Sequence, residues 1–553
     1  MSKLVPLLLL LATFTYAPAQ VDAVEPRAKA ELPSVEQCIP KSVSNLREPA
    51  LFIFHKGLVT AVSAANEEAQ VHTLQGLNYL HGSWEFEAMR HFAVAMKADP
   101  NCLMAHWGMI MSMLAPSPET DSYRLATTER LLQLISDGEG TELERGFAYS
   151  LLKYIEEGPN GAERAFRKIA EKFPEDPQSR IFAALFGRGG YNEMGDITPD
   201  QLEAEKRLIS LVRSSPNEAL PLHALLLIRA EAPDLQASLK LARKLCQIVP
   251  DYAPYFHLLG HYEWRCGEHA RAASAFGRAA SLYSNWMNEN KATPADCPGW
   301  VRAECYRVVA MASKGEFDNA LASAEKIANT TLDPDRADAA GTRELLWNAK
   351  TLPARVFLRR SAAGDSEKAL ASLPSPESIE SFRDHSLSYW WIDGLRIALE
   401  AQRLMDIHDI KNATDTVGAV SYHGQAMARK QQIAAAIGEY SDWRRSFTAM
   451  EILAAQLRGR LALAGPKEGH GSAFNWFRAA TDRQRATTML SPPPILTPMA
   501  TRLGNYFLAA KKPAKALEAY KEALEKFPKD QETLNQVEKA KEMALTIPVE
   551  KEE

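Results

Sequence analysis

The chain has 553 residues, which by length alone suggests roughly three to four ordinary domains. Hydrophobic residues make up 46% and charged residues 24% of the composition, which is typical of a globular protein and excludes a collagen, a disordered tail protein and a polytopic membrane protein. Lysine and arginine (64) nearly balance aspartate and glutamate (69), and the two signs are interspersed. Because there is no basic stripe, we expect no nucleic-acid partner.

The N-terminus has the pattern of a signal peptide. Lys3 supplies one positive charge, residues 4–16 form an apolar run of 13, and residues 17–19, Ala-Pro-Ala, offer the small side chains that signal peptidase reads. Such a run is too short to span roughly 30 Å of hydrocarbon as a stable helix. We therefore predict a signal peptide over residues 1–19, no membrane span after its removal, and a periplasmic or secreted location.

The rest of the chain has the periodicity of paired helices. After residues 20–49, which are interrupted by prolines and read as a flexible leader, almost every segment is an amphipathic helix closed by a short Gly, Pro or Asp signal. Runs of alternating β-branched residues are nearly absent. The sequence therefore predicts an all-α fold, with an N-terminal helical array over residues 50–286 and a C-terminal array over residues 287–545.

Three windows of the chain share small and aromatic residues at fixed offsets. The small residues would let two antiparallel helices approach closely, and the aromatic residues would fill the space up to the next pair. The positions expected to pack the pairs are Gly76, Tyr79, Ala88, Phe92, Ala95, Pro100, Gly260, Ala272, Phe276, Gly504, Ala516, Tyr520 and Pro528. This is the tetratricopeptide pattern, clearest at residues 497–530. It predicts an α-solenoid of antiparallel helical hairpins with degenerate repeats.

The motifs also resemble those of a family of bacterial exported tetratricopeptide-repeat proteins. The resembling phrases are Phe54-His55, Ala69-Gln70, Gly76-Leu77, Gly82, the run from Asp99-Pro100 to Trp107-Gly108, the helix with His257 and His261, and Pro492-Pro493-Pro494 before Leu503-Gly504. The family usually has an Asn-His pair where this chain has Trp84-Glu85, and further histidines near His223. The resemblance implies a helical-repeat architecture, and it implies no particular chemistry.

One predicted helix carries a candidate site. His257 and His261 are four residues apart, so both imidazoles could reach one metal ion, although residue 258 is Leu rather than Glu and no third ligand is placed by the sequence. Together with Trp264 and Arg265 they could instead line a concave groove that binds an extended peptide with a carboxylate. A third interpretation makes these histidines packing residues of the hairpin.

Two other residue groups are expected to be structural. The six cysteines are too sparse for a disulfide scaffold and are predicted to be mostly buried thiols, with room for one bridge. Trp390 and Trp391 lie in a helical segment and are predicted to be core between hairpins.

The function that the sequence favours is a non-enzymatic, exported scaffold that binds a protein or peptide partner on its concave surface. The alternative is a metal-dependent or hydrolytic enzyme whose histidine-containing site lies between helices. No nucleotide-binding loop, nucleophile elbow or other cofactor motif is found, so no cofactor is expected.

The processing prediction can be tested directly. N-terminal sequencing of the exported protein should begin at Gln20, because the small residues before it form the cleavage site. A mature chain that still begins at Met1 and is recovered with the membranes would contradict it.

Overall fold

The fold is all-α. The computed structural model describes residues 32–54, 57–58, 60–192, 195–465, 470–485 and 488–546. Helices account for 73% of the described residues, which contain 26 α-helices and no β-sheet, and this confirms the prediction of an all-α helical-repeat fold. The predicted signal peptide, residues 20–31 of the predicted leader and His55 lie outside the described residues. In the described part no helix is both long and apolar enough to cross a bilayer.

Consecutive helices are joined mostly by short turns. The first helices are α1 Lys41–Ser44, α2 Glu67–His81, α3 Glu85–Ala98, α4 Leu103–Ser112, α5 Asp121–Ser136, α6 Glu142–Glu157, α7 Pro159–Lys172, α8 Pro177–Gly187, α9 Pro199–Ser214, α10 Ala219–Arg229, α11 Gln236–Ile248, α12 Ala253–Arg265 and α13 His269–Asn290. The others are α14 Pro298–Ser313, α15 Phe317–Ala328, α16 Ala340–Glu344, α17 Leu352–Arg360, α18 Asp365–Ala371, α19 Ser388–Asp406, α20 Ile410–Ala428, α21 Gln431–Ala436, α22 Tyr440–Ala464, α23 His470–Arg483, α24 Met499–Ala509, α25 Pro513–Lys526 and α26 Gln531–Thr546.

The described chain divides into two compact units. Unit 1 consists of residues 32–232, 240–258 and 284–296. Unit 2 consists of residues 233–239, 259–283 and 297–546. The division therefore differs from the single boundary after residue 286 that the sequence suggested, because the hairpin of residues 259–283 packs with unit 2.

In unit 1 an aromatic ring fills the space left by two glycines. A Cβ atom on Gly76 of α2 would lie 2.5 Å from the ring of Phe92 on α3, and a Cβ atom on Gly108 of α4 would also clash with that ring. Real Cβ atoms do not approach a ring so closely, so only glycine is accommodated without a shift. Phe92 is fully buried between the two glycines, and it thereby fixes the spacing of three consecutive helices.

The same contact recurs twice in unit 2. A Cβ atom on Gly260 of α12 would lie 2.7 Å from the ring of Phe276 on α13, and Gly504 of α24 lies similarly against Tyr520 of α25. Phe276 stacks in turn on Tyr306 of α14, with ring centroids 5.1 Å apart. The ring therefore connects its own hairpin to the next one.

The other positions of the repeat pattern have matching environments. Five of them are buried in their helices: Tyr79, Ala88, Ala95, Ala272 and Ala516. Pro100 and Pro528 follow α3 and α25 two residues after the last helical residue, where a proline cannot continue the helix.

Part of the predicted flexible leader is packed against unit 1. Cys38 and Val43 are buried, and the Thr127 hydroxyl on α5 donates a hydrogen bond to the Cys38 carbonyl oxygen at 3.3 Å. Arg130 of α5 donates to the Pro33 carbonyl oxygen at 3.0 Å. Residues 32–49 thus differ from the prediction, because α5 offers side-chain donors that a local reading of the prolines does not reveal. All six cysteines are buried thiols, and no disulfide bridge forms among them.

The glycine contacts predict that two Gly→Ala substitutions change the free energy of unfolding in opposite directions. Gly260→Ala should lower the free energy of unfolding by about 1–3 kcal/mol, because the new methyl group overpacks the Phe276 ring. Gly418→Ala is the matched control: Gly418 lies inside α20 with no atom within 4 Å of its would-be Cβ, and alanine should stabilise the helix by up to about 1 kcal/mol. Chemical denaturation measures both. Equal effects would contradict the assigned repeat register.

Candidate functional site

The predicted groove residues are not at an open surface. Relative exposure is 7% for His257, 0% for His261, 4% for Trp264 and 8% for Arg265. The expectation that these four side chains are partly exposed is therefore wrong. A peptide cannot reach them in this arrangement.

Within unit 2, His261 and Trp264 are covered by segments that are distant in sequence. The Trp264 indole N–H donates to the Ser313 hydroxyl oxygen at 3.0 Å, and the Tyr306 ring lies edge-on to the rings of both Trp264 and His261. At the end of the helix, Lys529 Nζ, just after α25, lies 2.5 Å from Glu268 Oε1. Helical periodicity correctly places His261 and Trp264 on one face of α12. Residues of α14 and of the segment after α25 bury that face.

The structure does not complete a metal site around the two histidines. Across the described ranges, no group of three or more His, Cys, Asp or Glu side chains is arranged so that it could hold a metal ion. Among the described residues, His257 and His261 belong to no such group. Their burial is consistent with the packing interpretation.

Other buried histidines in unit 1 act as neutral hydrogen-bonding groups. The Nδ1 atom of His106 lies 3.0 Å from the Cys102 carbonyl oxygen, and the Arg130 guanidinium donates to Nε2 of the same ring at 3.3 Å. This pair of bonds requires the neutral tautomer with the proton on Nδ1. Burial, assisted by the positive charge of Arg130, lowers the pKa of His106 to about 4. His81 and His223 have pKa values lowered to about 4 for the same principal reason, burial.

A cleft of about 350 Å³ opens in unit 1 between α3 and the segment that follows α1. Its polar lining mixes both signs of charge: Arg47, Glu48, Glu68, Arg90 and Lys97. Arg90 is already bonded to the Glu87 carboxylate at 2.6 Å. Because cations and carboxylates share the walls, the cleft does not favour a ligand of one charge.

A row of stacked cationic and aromatic side chains, here called the aromatic ladder, lies on α19 and α20 of unit 2 and on the segments beside them. The Arg383 guanidinium lies 5.1 Å from the Tyr389 ring, and the Tyr389 and Trp390 centroids are 5.5 Å apart. Lys430 Nζ lies 5.4 Å from the Trp390 ring, whose centroid is 5.2 Å from that of the tilted His423 ring. All five side chains are half-buried and retain access to solvent.

The neighbouring tryptophan has a different environment. Trp391 is fully buried in the core of unit 2, and its indole N–H donates to the Thr351 hydroxyl oxygen at 3.3 Å. Both tryptophans were predicted to belong to the core. Trp391 does, whereas Trp390 lies at the edge of the core. Trp391 shares its helix face with Leu395 and Leu399, and this periodicity is the sequence signal that separates the two.

Comparisons with known proteins give a fold likeness. No family model matches the chain, and no curated protein matches it. Among solved structures, the P58(IPK) TPR domain is 14% identical with a TM-score of 0.20, covering 87% of this chain and 99% of that one. The Cut9–Hcn1 structure is 13% identical with a TM-score of 0.34 and coverages of 85% and 76%. The human IFIT1 dimer with m7Gppp-AAAA is 12% identical with a TM-score of 0.35 and coverages of 88% and 92%.

At these identities the likeness extends to the helical-repeat fold alone. The ligand of the IFIT1 structure belongs to that protein. The expectation that this chain has no nucleic-acid partner stays a prediction.

The neutral His106 predicts a pH dependence of stability. Its pKa is about 4 in the folded chain against 6.5 for the ordinary group, so between these pH values the unfolded chain binds the extra proton. Stability is therefore lost as pH falls from 6.5 towards 4, by roughly 3 kcal/mol at most from this group. His106→Gln should reduce the fall in Tm across this window relative to the wild type, whatever its Tm at pH 7. An unchanged fall would show that His106 is protonated in the folded chain.

Proposed function

We propose that the protein is a non-enzymatic, exported scaffold that binds a protein partner through the aromatic ladder. The observation that carries this proposal is the half-buried Trp390, which is in contact with Tyr389, His423 and Lys430. Large aromatic and arginine side chains dominate binding energy at protein interfaces. Stacked neighbours also restrict the rotamers of these side chains before binding, which reduces the entropy lost on association.

The charges of the ladder favour a partner that offers both apolar and acidic groups. Arg383 is partly neutralised by Glu380 at 2.9 Å and Asp393 at 3.7 Å, whereas Lys430 is held over the Trp390 ring. A cation over an aromatic face keeps its charge available to a carboxylate at the edge of the interface. The rings would supply the apolar centre.

Export is proposed from the sequence pattern of the N-terminus. The positive charge of Lys3, the short apolar run and the Ala-Pro-Ala site support it. A partner is accordingly sought in the periplasm or the medium.

The proposal predicts opposite outcomes for two adjacent tryptophans. Trp390→Ala should weaken binding of a partner captured from the exported fraction by about 2 kcal/mol, with little change in Tm, because it removes an interface ring from the edge of the core. Trp391→Ala is the matched control and should cost about 3–5 kcal/mol of folding stability, because it opens a cavity.

Titration calorimetry with the identified partner and thermal melting measure the two effects. A Trp390→Ala variant that binds like the wild type would remove the ladder as the interface. A variant that melts as early as Trp391→Ala would show that both rings are core.

A further inference from the structure

A proline-rich stretch, here called the proline segment, passes through the interior of unit 2. It comprises residues 488–498 and leads into α24. Pro492 and Pro493 are buried, and Ile495 and Leu496 join the large hydrophobic core of the unit. The segment forms no helix or strand, and a residue that precedes a proline favours extended backbone. An extended chain is therefore held inside a helical framework.

Three side chains satisfy the carbonyl groups of this segment. The Tyr306 hydroxyl on α14 donates to the Ser491 oxygen at 3.0 Å and also bonds the Thr488 oxygen. The Arg445 guanidinium on α22 donates to the Pro492 oxygen at 3.1 Å, and that of Arg355 on α17 donates to the Pro493 oxygen at 3.2 Å. Prolines have no N–H group, so the buried stretch offers acceptors to these donors and needs few acceptors in return.

Arg355 lacks the partner that a buried cation normally has. It is 2% exposed, and its second hydrogen bond goes to the Asn348 carbonyl oxygen at 3.1 Å, in a π-helical turn that precedes α17. Within the described residues it forms no ion pair, and its Nε–H has no acceptor. Burial lowers its pKa to about 10, and the neighbouring positive charge of Arg445 acts in the same direction.

Two other arginines of unit 2 have carboxylate partners. Arg359, one turn further along α17, pairs with Asp530 and lies 3.5 Å from Glu532. Arg445 pairs with Asp442 on its own helix. An isolated buried charge costs several kcal/mol unless it is well compensated, and carbonyl dipoles compensate a full charge less well than a carboxylate. Arg355 is thus the exception among these side chains.

Hydrogen bonds outside residues 488–494 join the two helices that flank the proline segment. Gln484, just past α23, donates through Nε2 to the Thr497 oxygen at 2.9 Å and accepts from the Met499 N–H through Oε1 at 2.6 Å. These bonds hold the end of α23 to the start of α24. They involve neither Arg355 nor the residues 488–494 that cover it.

We propose that residues 488–494 cover a carboxylate-binding site centred on Arg355, and that its ligand is an extended peptide whose carboxylate replaces the Pro493 carbonyl. The guanidinium of Arg355 would bind the carboxylate end-on, through one N–H group of each terminal nitrogen. Arg445 and Tyr306 would bind the carbonyl groups of the preceding residues, as they do in the chain itself. This site is separate from the aromatic ladder, and its test does not depend on the ladder.

The experiment uses a hexapeptide with the sequence of residues 488–493, Thr-Met-Leu-Ser-Pro-Pro, as the free acid and as the C-terminal amide. The receptor is a full-length variant in which S491G, P492G and P493G loosen the cover, because glycine raises the entropy lost when the segment is ordered. This variant should bind the free acid at least tenfold more tightly than the amide. The wild type should bind the free acid at least tenfold more weakly than the loosened variant, because its own segment competes.

Arg355→Gln in the loosened variant should abolish the preference for the acid. Arg360→Gln is the matched control on α17, since Arg360 is bonded to Asp365 and should leave the preference unchanged. Equal binding of acid and amide, or a preference that survives Arg355→Gln, would overturn the carboxylate site. Equal affinity of the wild type and the loosened variant for the acid would overturn the covering role.

Amide hydrogen exchange on the wild type tests the proposal even where the loosened variant does not fold. Saturating free-acid peptide should increase amide hydrogen exchange at Leu490 and Ser491, because the peptide displaces them, whereas the amide peptide should leave exchange unchanged. No increase with the acid, or the same increase with both peptides, would overturn the proposal.

Discussion

Glycine residues, which have no Cβ atom, set the distance between the paired helices of the hairpins. At Gly76 the absent Cβ makes room for the ring of Phe92, and the same ring occupies the space over Gly108 on the next helix. One aromatic side chain therefore fixes the separation of three helices, and the alanines at the neighbouring crossing points follow from that separation. Gly260 with Phe276 and Gly504 with Tyr520 repeat the arrangement in unit 2. The three hairpins with the clearest repeat pattern thus share one packing contact.

This dependence explains why the hairpins could be predicted from sequence. Gly76 and Phe92 are only 16 residues apart, so the two halves of the contact appear together in one window of the sequence. The burial of Trp264 could not be predicted in the same way, because Ser313 and Tyr306, which cover it, lie more than 40 residues away. Periodicity shows which face of a helix is unusual. It does not show which distant segment covers that face, so the groove prediction failed while the hairpin positions were found.

The aromatic ladder could be predicted from the sequence only in part. Successive helical residues point about 100° apart, so Trp390 and Trp391 cannot both point to the centre of the core. The apolar residues that follow at positions 395 and 399 place Trp391 inside, and this information was present in the sequence. The stacking of Trp390 with His423 and Lys430 was not, because it requires α20 and the turn after it to pack beside α19. A helical face can thus be derived locally, whereas a surface made by two helices needs the tertiary structure.

Prolines are suited to lie beside buried arginines. An ordinary residue at position 492 or 493 would bring an N–H donor into a region where Arg355 and Arg445 already supply donors, and that group would need an acceptor of its own. Proline contributes only the carbonyl, so every backbone polar group there can be matched by a guanidinium. Each carbonyl oxygen has a donor, but the positive charge of Arg355 faces only carbonyl dipoles and no carboxylate. The stability of unit 2 and its capacity to accept a carboxylate therefore depend on the same buried cation.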